Sequence, residues 1–153
     1  EILPERIAKV IPEFDDVIFT VDWHPYNHCS FKENGGIWPV HCVAYTEGAS
    51  LPKEFIPYIK GDYGIVGNVV SKGRFYESEE YGAKFKLKNV VSEVVFCGIA
   101  GDYCVKETIK NFIEEYPAIK VSVYLDGVAS IDDGTTIRDF MKENNIEEWK
   151  PQE

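Results

Sequence analysis

Four short runs rich in β-branched residues alternate with segments of helical apolar spacing, and this alternation constrains the fold more than any other feature. The runs are Val17-Ile18-Phe19-Thr20-Val21, Val66 to Val70, Val94-Val95-Phe96-Cys97 and Val121-Ser122-Val123-Tyr124-Leu125. Short, nearly continuous apolar runs of this kind suit strands buried on both faces. Ile7, Val10, Ile11 and Phe14 recur at helical spacing and predict a helix from Pro4 to Phe14. Val105, Ile109, Phe112 and Ile113 mark a second helix between the last two strands, and Ile137, Phe140 and Met141 mark a third. Strands alternating with helices predict an α/β fold with a mainly parallel sheet, whose ligands bind at the carboxyl ends of the strands. Asp22 ends the first strand and the Gly98–Cys104 turn ends the third, so both are expected at the active edge.

Composition narrows the class. The 153 residues contain no repeat, low-complexity tract or Pro/Ser linker, which predicts a single domain over 1–153. A hydrophobic content of 44% supplies a core, and a net charge of −10 argues against nucleic-acid binding, which needs clustered Lys and Arg. No apolar run approaches the roughly 20 residues a spanning helix needs, so no membrane partner is expected. The opening Glu1-Ile2-Leu3-Pro4-Glu5-Arg6 is not a signal peptide, lacking both a basic start and an apolar run. Cys29, Cys42, Cys97 and Cys104 are too sparse for a disulfide scaffold and read as free thiols of a reducing, cytoplasmic compartment.

A long loop from Asp22 to about Pro57 carries all three histidines, and loops of this length in small domains are usually functional. Asp22-Trp23-His24-Pro25-Tyr26-Asn27-His28 has the pattern D-x-H-x-x-x-H, and His41 follows in Trp38-Pro39-Val40-His41. One carboxylate and three imidazoles suit a divalent transition ion such as zinc, iron or manganese. Taken singly, each histidine is as readily a solvated rim residue. A structural zinc site drawing on Cys29 and Cys42 stays open as well.

The third strand runs into Cys97-Gly98-Ile99-Ala100-Gly101-Asp102-Tyr103-Cys104-Val105. A strand, a tight Gly/Ala turn and a helix from about Asp102 place Cys104 in the first helical turn. Unpaired N–H groups and the helix dipole there favour a thiolate, and the same N–H groups can hold an oxyanion. Asp102 is a candidate helix cap. For Cys104 alone the plainer reading is a small buried residue, and Cys97, inside the apolar strand, is read as inert. Lys72, in Ser71-Lys72-Gly73, follows the second strand and reaches the same edge. It is a candidate cation for the thiol, or an ordinary strand-end lysine.

DWHPYNHCSF from Asp22, GGIWPVHCV from Gly35, TEGASL from Thr46, SKG from Ser71 and CGIAGDYCV from Cys97 together resemble the nicotinamidase branch of the isochorismatase-like hydrolases, with weaker matching through YLDGVAS from Tyr124. The resemblance covers nearly the whole chain and implies a three-layer α/β/α fold with a mainly parallel open sheet. It implies Cys104 as nucleophile, Lys72 as its catalytic partner, and Asp22, His24, His28 and His41 as ligands of one divalent metal ion. It implies a cis peptide bond between Ile99 and Ala100, aiming the N–H groups of Ala100 and Cys104 at an oxyanion. Trp38, Tyr81 and Ile99 become the expected substrate contacts. The implied reaction is hydrolysis of nicotinamide to nicotinate and ammonia in NAD salvage, and a homo-oligomer is compatible with it. A hydrolase of another small amide, or a catalytically dead metal-binding relative, are the competing readings.

The sequence also departs from the family. The first strand of the family, ending in the acid/base aspartate of a run like V-D-x-Q-N-D-F, has no match, nor has the aromatic that follows it. The expectation is a fragment whose N-terminal part is supplied separately; an inactive variant and a substitute segment are the other options. Asp15 and Asp16 precede the wrong strand to replace that aspartate. Gly101 stands where the family usually has Thr, and tolerance is expected.

Overall fold

The computed structural model describes residues 2–63 and 67–153. The chain folds as two compact units, one built from residues 1–15 and 84–153, the other from residues 16–83.

The first unit opens with helix α1, Leu3–Val10, which buries Ile7 and Val10. Helical spacing continues to Phe14, but the α-helix does not, because Pro12 has no N–H to give the preceding turn. The chain tightens instead into a 3₁₀ turn over Ile11–Glu13. A parallel sheet follows in the order β3-β4-β5, with β3 Glu93–Ile99, β4 Lys120–Ala129 and β5 Glu147–Glu148. Strand β4 runs past the expected Leu125, and its register against β3 shifts between Phe96 and Gly98. Helix α2, Lys106–Glu115, makes the β3–β4 crossover and buries Thr108, Ile109 and Phe112; α3, Thr135–Glu143, buries Ile137, Phe140 and Met141. These side chains pack with Val105, Val121, Val123 and Ile146 into one apolar core.

The second unit holds β1, Phe19–Asp22, and β2, Val69–Lys72, paired in parallel so that Asp22 lies opposite Lys72. Of the second expected strand, Val66 lies outside the described residues. Asn68 ties the entry to β2: its amide nitrogen donates to the carbonyls of Val17 and Tyr58, and its oxygen accepts from Lys60 N–H. The loop after β1 is ordered by short bridges and turns. His24 pairs with Val43 and Phe31 with Trp38, and 3₁₀ turns form at Lys32–Asn34, Glu47–Ala49 and Lys53–Tyr58. Phe31 is fully buried at its centre, which explains how so long a loop holds one shape. Among the described residues no helix is long and apolar enough to cross a membrane.

Candidate active site

The expected site residues fall into two groups, one in each unit. Asp22, His24, His28, Trp38, His41, Lys72 and Tyr81 belong to residues 16–83, while Ile99, Ala100 and Cys104 belong to the other unit.

In the unit of residues 16–83, the ends of β1 and β2 deliver Asp22 and Lys72 side by side, because register partners in a parallel pair point to the same face. Their side chains form an ion pair, and the lysine is nearly inaccessible, at 4% exposure. Lys72 Nζ also donates to the Glu80 carbonyl at 3.3 Å. Burial alone would raise the Asp22 carboxyl, but the neighbouring His24 ring and the Lys72 charge outweigh that and pull it down to about 2. His24 lies one bridge further on, 3.7 Å from the Asp22 carboxylate. Burial opposes protonation of His24, yet Asp22 and the Gly73 carbonyl raise it above its ordinary value.

Asp22, His24 and His41 gather their donor atoms within 4.8 Å of one another. The backbone selects which nitrogen each ring presents. His24 Nδ1 lies 2.7 Å from the Gly73 carbonyl and His41 Nδ1 lies 2.8 Å from the Pro39 carbonyl. A carbonyl only accepts, so each Nδ1 carries the hydrogen and each Nε2 keeps its lone pair. One carboxylate and two imidazole lone pairs, oriented by carbonyls behind them, could hold a divalent metal ion. The segment bearing His41 is held by strained backbone, Cys42 and Tyr45 both having positive φ, of 48° and 64°. His28, the fourth expected ligand, is outside this cluster. Its ring stacks on His24 at 3.9 Å between centroids, and its nitrogens meet Ser30 and Ser78. Burial, then the neighbouring His24, hold it below its ordinary value. Nearby, Trp38 Nε1–H donates to the Tyr81 hydroxyl at 2.9 Å, so the two expected substrate aromatics form a joined pair.

In the other unit, β3 ends at Ile99, which is 67% exposed, and the Ile99–Ala100 peptide bond is cis, as the resemblance implies. The turn beyond it differs from the expected plain helix start. Residues Gly101–Val105 form a π turn, with Val105 N–H donating to the Ala100 carbonyl at 3.0 Å, before α2 begins. Single π turns are common at functional sites. Cys104 sits inside this turn, partly exposed. Asp102 does not cap the helix: its two carboxylate oxygens accept the N–H groups of Ile131 and Asp132, each at 3.0 Å, and so fasten the loop after β4. A Cβ at Gly101 would lie 2.3 Å from Ser130 Oγ and 2.7 Å from Val128 Cγ1, so a side chain there must push both aside. Cys97, by contrast, is desolvated inside β3 and its thiol is pushed up to about 11.

Ser30, Gly73, Ser78 and Glu80 also shape the site, and sequence reasoning misses them. Glu80 Oε1 accepts Gly73 N–H at 3.1 Å, fixing the turn whose carbonyl orients His24. The run Glu77-Ser78-Glu79-Glu80 reads as a solvated loop, so no compositional signal marks it.

No protein-family model matches the chain. The Saccharomyces cerevisiae nicotinamidase is 27% identical to it over 164 aligned residues, covering 83% of this chain and 74% of that protein. Across the curated nicotinamidases it matches, the matched stretch takes in from 55% to 77% of their length. Among solved structures, the Pyrococcus horikoshii pyrazinamidase in complex with zinc superposes with a TM-score of 0.75 at 27% identity, covering 97% of this chain and 85% of that one. PnC1 from L. infantum in complex with nicotinate superposes with a TM-score of 0.77 at 28% identity, covering 97% and 79%.

Fold and site together define the class: a hydrolase of the three-layer α/β/α, isochorismatase-like type. Within that class, the proteins it is similar to are nicotinamidases.

Proposed function

We propose that this chain hydrolyses nicotinamide to nicotinate and ammonia through a thioester on Cys104. The observation that carries the reading is that 97% of the chain superposes on a relative that holds nicotinate. In this reaction the Cys104 thiolate attacks the carboxamide carbon, a C–S bond forms, and the carbonyl electron pair moves onto oxygen. The N–H groups of Ala100 and Cys104 are the proposed donors to that oxyanion. The C–N bond then breaks as the carbonyl re-forms, and nitrogen leaves as ammonia with the proton that the Cys104 thiol gave up on becoming a thiolate. Water adds to the thioester, releasing nicotinate and restoring the thiol. Trp38 and Tyr81 are the proposed walls for the pyridine ring, with Ile99 as a further contact.

Asp22, His24 and His41 are the proposed metal ligands. When bound, a divalent ion supplies Lewis-acid attraction for the pyridine nitrogen, directly or through water. Zinc is the ion proposed, supported by the mixed N/O donor set and by the zinc in the P. horikoshii relative; iron and manganese suit the same donors. Lys72 holds Asp22 in the ionised form a ligand needs, and is the proposed cation for the thiol chemistry. Cysteines held as thiols suit the reducing cytoplasm.

The test is ammonia release from nicotinamide by the 153-residue protein, against unrelated small amides, with bound metal quantified on the same sample. Selective release with about one metal per chain is expected. Cys104→Ala should lose thioester formation and keep its metal; a fully active Cys104→Ala protein would sink the mechanism.

A further inference from the structure

We infer that Asp102 is a positioning residue for the Cys104 chemistry, holding the turn that carries the nucleophile against the loop after β4. The inference rests on the thioester reaction proposed above.

The sheet brings the two segments together. Gly98 and Ile99 of β3 pair with Val128 and Ala129 of β4, so the residues leaving the two strands, from Ala100 and from Ser130, start side by side. The turn then closes on a single acceptor: the N–H groups of Tyr103 and Val105 both donate to the Ala100 carbonyl, at 3.2 and 3.0 Å. That closure is internal and does not fix where the turn points. Asp102 does. Its Oδ1 accepts Ile131 N–H and its Oδ2 accepts Asp132 N–H, each at 3.0 Å. Two consecutive backbone donors thus meet two acceptors, which a carboxylate offers and a carboxamide does not. The neighbouring Gly101 is buried, and even a Cβ on it would meet Ser130, Val128 and Ile137, so the turn seats flush on the loop.

The loop is itself a fixed support. Asp132 turns its own carboxylate onto the start of α3, accepting Gly134 N–H at 2.8 Å and Thr136 N–H at 3.2 Å. Helix α3 is rooted in the apolar core through Ile137, which is 1% exposed. A continuous line of bonded groups therefore runs from that core through Asp132 and Asp102 to the turn bearing Cys104. Side chains two residues apart on a helical turn do not face each other. Asp102 acts on Cys104 through the backbone, without touching the thiol. What it sets is the aim of the proposed oxyanion donors, the N–H groups of Ala100 and Cys104, which lie on either side of it in the chain. Such donors act only at the position the oxyanion will occupy, so a turn free to rock loses rate without losing substrate.

The test compares Asp102→Asn, which keeps the shape and one acceptor, with Asp102→Ala, which keeps neither. With nicotinamide, kcat should fall roughly 100-fold in Asp102→Ala and less in Asp102→Asn, with KM near its wild-type value in both. Pyridine-3-carbaldehyde, which forms a tetrahedral adduct with a thiol, should bind more weakly in the same order, and nicotinate with unchanged affinity. Asp133→Ala removes the oxygen that accepts Thr135 N–H at the start of α3 and leaves the turn alone; it should keep the wild-type kcat and KM. Amide hydrogen exchange reads the turn without turnover. Tyr103 and Val105 should exchange faster in Asp102→Asn, with Ile109 and Phe112 of α2 unchanged. Wild-type exchange at Tyr103 and Val105, a loss confined to KM, or an Asp133→Ala protein as slow as Asp102→Ala overturns the inference. Faster exchange throughout α2 also overturns it, because the role of Asp102 is then merely structural. A wild-type protein that releases no ammonia defeats the reaction reading instead, and the exchange rates still decide whether Asp102 holds the turn.

Discussion

At the scale of single residues, several positions are fixed by what surrounds them. Gly73 has φ of +64°, and a Cβ there would lie 2.4 Å from His24 Cε1. Gly73→Ala must therefore displace the His24 ring as well as strain the backbone. A loss of about 1–3 kcal/mol is expected, and calorimetry together with zinc titration would show whether stability and affinity fall together. Gly101→Ala meets Ser130 and Val128 in the same way, so a methyl group costs stability here although the family accommodates Thr. Cys97 gives a pH prediction. Its ordinary value is 9.0 and burial raises it to about 11. The folded state therefore keeps its proton through a range in which the unfolded chain has lost it. Stability is fully present below pH 9 and declines toward pH 11, by at most about 3 kcal/mol. Denaturant unfolding of wild type and Cys97→Ala across this range should show the wild type losing the extra slope. Alkylation at pH 8 should reach Cys104 well before Cys97.

At the scale of elements, much was legible in the sequence and the failures have physical causes. The apolar runs located β1, β3 and β4 because buried strands need continuous apolar sequence, and the spacing of Ile109, Phe112 and Ile137 located α2 and α3. Pro12 cut α1 short because a missing N–H outweighs good apolar spacing. The two-residue β5, Glu147–Glu148, is exposed and acidic, and only pairing with β4 makes it a strand. In the site, residue types that a chemistry requires were readable: Asp22, His24 and His41 converge. His28 has the same residue type and motif position, but its ring nitrogens meet Ser30 and Ser78, and spacing does not carry such contacts. The role of Asp102 as a loop fastener depends on a contact 29 residues away. The α2 core offers a direct check: Ile109 is fully buried, so Ile109→Ala should cost about 2–5 kcal/mol in chemical denaturation.

At the scale of the whole molecule, the chain leaves its first unit after residue 15, builds the second unit, and resumes the first at residue 84. The candidate metal cluster lies within residues 16–83, and an ion bound there should stabilise the folded chain by mass action. At a free zinc concentration 100 times the dissociation constant the gain is about 2.7 kcal/mol, and a chelator should remove it. Calorimetric scans with zinc and with chelator would measure the difference; superimposable scans would contradict it. The pairing of Asp22 with Lys72 across β1 and β2 carries one more consequence. Sliding either strand by one residue would turn every side chain of that strand to the other face. It would also strand a buried ammonium without its carboxylate, a penalty of roughly 3–5 kcal/mol. The same two side chains that serve the site thus act as a spelling check on strand alignment, and a chain that pairs these strands out of step is rejected before it can be mistaken for the native one.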